Sequence, residues 1–118
     1  MLFRSEREVD LVICIIANHW KGEYVWASHV RTCRGLGVAQ GVFDAMKAGE
    51  TPQFDNERER AIYDLATIAM APGGGADEVF DRADRVLGRN GIAEVIALMG
   101  YYSAVAMGMK LHRVPVRA

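Results

Sequence analysis

Residues 5–37 read SEREVDLVICIIANHWKGEYVWASHVRTCRGLG, and this stretch decides the fold. Ser5 and Glu8 have capping-box spacing, in which a serine side chain accepts from a backbone amide three residues on. Val9, Leu11, Val12, Ile13, Ile15 and Ile16 follow, apolar on nearly every side of a helical wheel. A helix to about Trp20 is therefore buried over most of its surface. Lys21 and Gly22 make a short joint, and a second helix runs to about Arg34, where Gly35 and Gly37 stop it. Two helices on so short a joint form a hairpin.

Working outward, a short third helix covers roughly Ala39 to Lys47 and ends at Gly49. Residues 50–54 are a connector. Asp55 or Asn56 caps a fourth helix through about Met70, with Glu57, Arg58, Glu59 and Arg60 as an exposed run near its start. Pro72 and the three glycines after it break the pattern. Asp77 caps a fifth helix to about Leu87, Asn90 caps a sixth to about Leu111, and Pro115 marks an extended tail. The β-branched residues sit at helical spacing, so no strand is expected. The expectation is an all-α chain of about six helices, with residues 1–118 forming one domain without internal repeats. Ala93, Ala97, Gly100, Ala104 and Gly108 line one side of the sixth helix, as a close helix crossing within the chain or as a subunit interface.

The bulk properties exclude several classes. Lys+Arg and Asp+Glu are nearly equal and the net charge is −1, so there is no nucleic-acid footprint. The uncharged run from Val95 to Met109 is too short to span a bilayer. Charged Arg4, Glu6, Arg7 and Glu8 stand where a signal segment would be apolar, which points to a cytoplasmic location. In the hairpin, Cys33 lies about five residues beyond the level of Cys14, an axial offset of roughly 7 Å. That is beyond comfortable disulfide reach, so two buried free thiols are expected.

The chemistry centres on His29. On the wheel of the second helix it shares a side with Val25, Trp26, Cys33 and Leu36, while Glu23, Arg31 and Arg34 lie opposite. A buried imidazole needs a hydrogen-bond partner. Asp10 interrupts the apolar first helix and lies within about a turn of the level of His29. A carboxylate there orients the ring and favours its charged form, either as a structural pair or as an acid–base pair. Trp26, Cys33, Glu94 and Tyr101 are candidates for a surrounding substrate pocket. Each also has a plainer reading: Trp26 and the Tyr101–Tyr102 pair as core or interface, Cys33 as a small buried hydrophobe, Glu94 as an acid favoured at a helix start. His19, His29 and His112 lack ligand spacing, so neither a metal nor another cofactor is expected.

The runs Asp10-Leu11-Val12-Ile13, Trp26-Ala27-Ser28-His29 and Gly35-Leu36-Gly37 occur in order. They are followed by residues 43–49 (FDAMKAG), 92–96 (IAEVI), Gly100-Tyr101-Tyr102 and Val114-Pro115. Together they resemble the carboxymuconolactone decarboxylase and alkylhydroperoxidase D-like (AhpD-like) superfamily over nearly the whole chain. The resemblance implies an all-helical fold that assembles into trimers or hexamers and takes a small-molecule substrate. In the peroxidase branch it implies a Cys-x-x-Cys pair before the motif histidine and a carboxylate on the preceding helix. By position His29 is that histidine, Asp10 is the carboxylate, and Gly22 and Val25 stand at the cysteine positions. Without thiols there, that branch's mechanism is not expected. Decarboxylase-like members carry a glutamate four residues before the histidine, again at Val25. The implied activity is lyase-like: His29 acid–base chemistry on a small organic acid or lactone. A non-catalytic ligand-binding or oligomeric member is the alternative, and a residual peroxidase based on Cys33 a more distant one.

Overall fold

The structure, a computed structural model, describes residues 5–112. Five helices follow one another: α1 (Glu6–Trp20), α2 (Glu23–Gly35), α3 (Gln40–Ala48), α4 (Glu57–Met70) and α5 (Asp77–Leu111). No strand occurs among the described residues. The tail at Pro115 lies outside them.

α1 is the axis of the fold. Its cap forms as the sequence suggests, Ser5 accepting from the Glu8 amide at 3.2 Å. Every residue from Asp10 to Ala17 is buried, because α2, α3, α4 and α5 all pack on this helix. It ends where Lys21 turns left-handed (φ 59°) and the Gly22 amide donates to the Ala17 carbonyl at 2.8 Å. α2 then folds back as the second arm of a hairpin and buries fewer side chains, Val25 and Cys33.

Of the two candidate caps for α4, Asn56 serves, its side chain accepting from Glu59 N at 2.8 Å. The later helices depart from expectation in three places. The cap position of α5 is Ala76, and Asp77 is the first helical residue, where its charge suits the helix dipole. The anticipated fifth and sixth helices follow one another along α5 with a break at Gly88 (φ 75°, ψ 168°), but Asn90 lies within the second stretch and does not cap it. Glycine alone adopts that backbone region readily.

The third departure concerns the run 57–60, which is not simply exposed. Glu59 is 2% exposed and pairs with Arg7, whose Nη2 donates to Oε1 at 2.9 Å. Arg58 pairs with buried Glu8 through Nε–Oε2 at 2.8 Å and Nη2–Oε1 at 3.1 Å. Both arginines are held above their ordinary pKa, chiefly by these hydrogen bonds. Two crossed ion pairs thus lock the start of α1 to the start of α4.

The second half of α5 presents two faces. Ile92, Val95, Met99 and Ala106 turn inward, and Trp20 Nε1 donates to Ser103 Oγ at 3.1 Å. Ala93, Ala97, Gly100 and Ala104 are exposed, so among the described residues this part of the small-residue ridge makes no close helix crossing. Ile96, Tyr101 and Met107 are exposed beside it. By length and composition this helix could cross a membrane, which the run 95–109 considered alone could not.

Candidate functional site

The hairpin of α1 and α2 brings Asp10 and His29 together. His29 Nδ1 lies 2.7 Å from Asp10 Oδ1, a short bond typical of charge-assisted contacts. The Asp10 side chain is 9% exposed and that of His29 26%. The carboxylate is therefore sealed behind the ring, while part of the ring meets solvent. An ionised carboxylate only accepts, so Nδ1 carries the proton and Nε2 of the neutral ring keeps its lone pair. The arrangement can take a proton at Nε2 and hand it back, with Asp10 fixing the ring.

The proposed pocket residues are distributed unevenly around this pair. Trp26 packs edge-to-face on Phe43 at 5.9 Å between ring centroids, with Lys47 Nζ 4.5 Å from its own ring. It is a partly buried wall on the same helix as His29. Tyr101 is 64% exposed, and its ring meets that of Tyr102 edge-on at 5.0 Å. The tyrosine beside the site is Tyr102, whose ring meets His29 edge-on at 6.2 Å. The sequence held a signal for this choice. Val95, Met99, Tyr102 and Ala106 recur every three or four residues on the buried face, whereas Tyr101 adjoins the outward ridge.

Glu94 is buried, and its Oε1 has no hydrogen-bond partner among the described residues. Its charge is one of those favouring the charged form of Arg58, which places it towards the Glu8–Arg58 pair. Nothing puts it in contact with His29.

Cys33 is fully buried one turn beyond His29, and its sulfur lies 3.9 Å from that of Cys14. Both are free thiols, but the axial offset expected from counting residues does not keep them apart. Cα–Cβ bonds tilt toward the N-terminus of each helix. In a hairpin those tilts carry the two sulfurs toward each other. The Cys14 thiol is pushed well above the usual range, first by its hydrogen bond to Cys33, then by burial and by the charge of Asp10. Among the described residues no group of three or more His, Cys, Asp and Glu side chains is placed to hold a metal ion.

A separate cleft of about 350 Å³ lies between the C-terminal ends of α1, α3 and α4, bordered by Asn18, His19, Gly49, Tyr63 and Thr67. It includes neither His29 nor Asp10.

No protein-family profile matches the chain, and no curated protein matches it in sequence. The fold does have a solved counterpart. A crystal structure of a protein of unknown function from Agrobacterium tumefaciens, described as a candidate antioxidant defence protein AhpD, superposes with a TM-score of 0.79. The match covers 98% of this chain and 80% of that one at 18% sequence identity. The chain thus has the all-helical AhpD-like fold, as the sequence resemblance implied.

Proposed function

We propose that the chain is a small-molecule enzyme in which His29, oriented by Asp10, moves a proton at an activated carbon of a small organic acid or lactone. The observation that carries this reading is the 2.7 Å Nδ1–Oδ1 bond with the carboxylate buried and the ring partly open. A purely structural pair has no need of an exposed ring edge. Tyr102 supplies aromatic surface against the imidazole, and Trp26 lies one turn before His29 on the same helix. Glycine and valine at positions 22 and 25 leave no thiol before the histidine, so a Cys-x-x-Cys peroxidase is not part of the proposal.

The same two residues favour a second reading, in which the scaffold binds a ligand or assembles without catalysis. Val25 is 9% exposed and offers no acid where decarboxylase-like relatives carry one. Incubation with a panel of small lactones and carboxylic acids in D₂O, followed by NMR, separates the two. Deuterium incorporation that disappears in His29→Gln supports catalysis. Binding without incorporation supports the second reading.

Assembly belongs to the same proposal. The outward ridge of α5, with exposed Ile96, Tyr101 and Met107, is an uncharged helical face suited to a second copy of the chain. A homo-oligomer, trimer or hexamer, would cover it.

A further inference from the structure

We propose that Cys14 and Cys33 form a redox-active dithiol, which a small disulfide converts to a covalent link between α1 and α2. The proposal goes beyond the acid–base reading and does not depend on it. Three observations bear on it.

The sulfurs already touch at 3.9 Å, and a disulfide needs about 2.05 Å. The remaining approach is a small adjustment between two packed helices. The thiols also sit beside polar groups, unlike an ordinary apolar core pair. Cys14 is one turn from Asp10 on α1 and Cys33 one turn from His29 on α2. The third observation concerns access, since both thiols are fully buried. α2 packs extensively on α1 but lies at the outside of the fold, with one flank open to solvent. It buries Val25 and Cys33 alone, against nine residues in α1. A local opening of α2 therefore exposes Cys33 while Cys14 stays in the core helix.

This asymmetry assigns the roles. Cys33 attacks, because it is on the arm that opens. Its thiolate displaces one thiolate from the small disulfide, forming a mixed disulfide as the incoming S–S bond breaks. Cys14 then gives up its proton and attacks the Cys33 sulfur, releasing the second small thiol. Overall, two protein thiols and one small disulfide give one protein disulfide and two small thiols, with two electrons leaving the protein. The product clamps α2 onto α1 next to the Asp10–His29 pair.

The test equilibrates the intact chain in mixtures of reduced and oxidised glutathione, quenches with acid, alkylates under denaturing conditions and weighs the products. Loss of both thiols together, with a peptide linking Cys14 to Cys33 and slower amide exchange in α2, is the expected result. Cys14→Ser should stop at a glutathione adduct on Cys33. Thiols that stay free in the most oxidising mixture overturn the proposal, as does a persistent glutathione adduct on the unaltered chain, or a link between two chains instead of within one. The readout on the unaltered chain holds even if the variant fails to fold. An active enzyme that fails this test loses only the dithiol, and an inactive chain that passes it loses only the acid–base reading.

Discussion

Asp10 and His29, nineteen positions apart in the chain, meet through a single hydrogen bond of 2.7 Å at the centre of the α1–α2 hairpin. The acid is the more deeply buried of the two, and the ring covers it. An acid in an otherwise apolar helix is destabilising unless paired, so α1 tolerates Asp10 only because α2 delivers a donor. The same geometry that makes the pair structurally sound leaves Nε2 as the chemically available atom.

The crossed pairs Arg7–Glu59 and Arg58–Glu8 should behave as a lock whose halves cannot be removed singly. Arg7→Met leaves Glu59 ionised and nearly fully buried, which should destabilise the fold by about 3–5 kcal/mol. Arg7→Met combined with Glu59→Leu should recover much of that loss. Urea denaturation of both single variants and the double variant checks this, and a double loss equal to the sum of the two single losses would mean the pair is not coupled.

Stability should fall on the alkaline side because of Cys14. Its folded-state pKa is raised above the ordinary 9.0, so the contribution is fully present below that value. As pH rises past it, the unfolded chain releases a proton that the folded chain keeps, and unfolding becomes easier. One proton gives a slope of up to about 1.4 kcal/mol per pH unit. Denaturation midpoints measured from pH 8 to 10 should show this slope, and Cys14→Ala should flatten it even if it lowers stability throughout.

Gly88→Ala should cost about 1–3 kcal/mol, since the break in α5 uses a backbone region that only glycine enters freely. No atom stands within 4 Å of where the new Cβ would lie, so the loss would be conformational and not a clash. Thermal melts of the variant measure it.

The hairpin and its polar pair were legible in the sequence for a simple reason. A lone acid in an apolar helix and a histidine on the uncharged side of the next one are both local patterns, and the short joint forces them together. The thiol contact was misread because residue counting gives axial rise and ignores the tilt of side chains. The burial of Glu59 was not legible, since its partner Arg7 is 52 positions away and only the packing of α4 on α1 brings them together. Tyr102 was recoverable from the α5 periodicity, and the break at Gly88 was legible because a glycine there reads as a stop.

The outward face of α5 gives a prediction about assembly. Ile96 is 52% exposed within an uncharged ridge, so Ile96→Arg should place a charge in the proposed subunit contact without touching the core. Light scattering coupled to gel filtration should show the unaltered chain as an oligomer and the variant shifted to smaller species. A monomeric unaltered chain would remove the proposed interface.

The most direct test of the central reading compares carbon–hydrogen exchange rates in D₂O for the unaltered chain, His29→Gln and Asp10→Asn, on whichever lactone or acid the panel identifies. With folding verified by circular dichroism, His29→Gln should lose about 10²–10⁴-fold. Asp10→Asn should fall between the two, since it keeps a polar neighbour but no longer fixes the tautomer. A folded His29→Gln protein that exchanges as fast as the unaltered chain would contradict the assignment of His29 as the acid–base group.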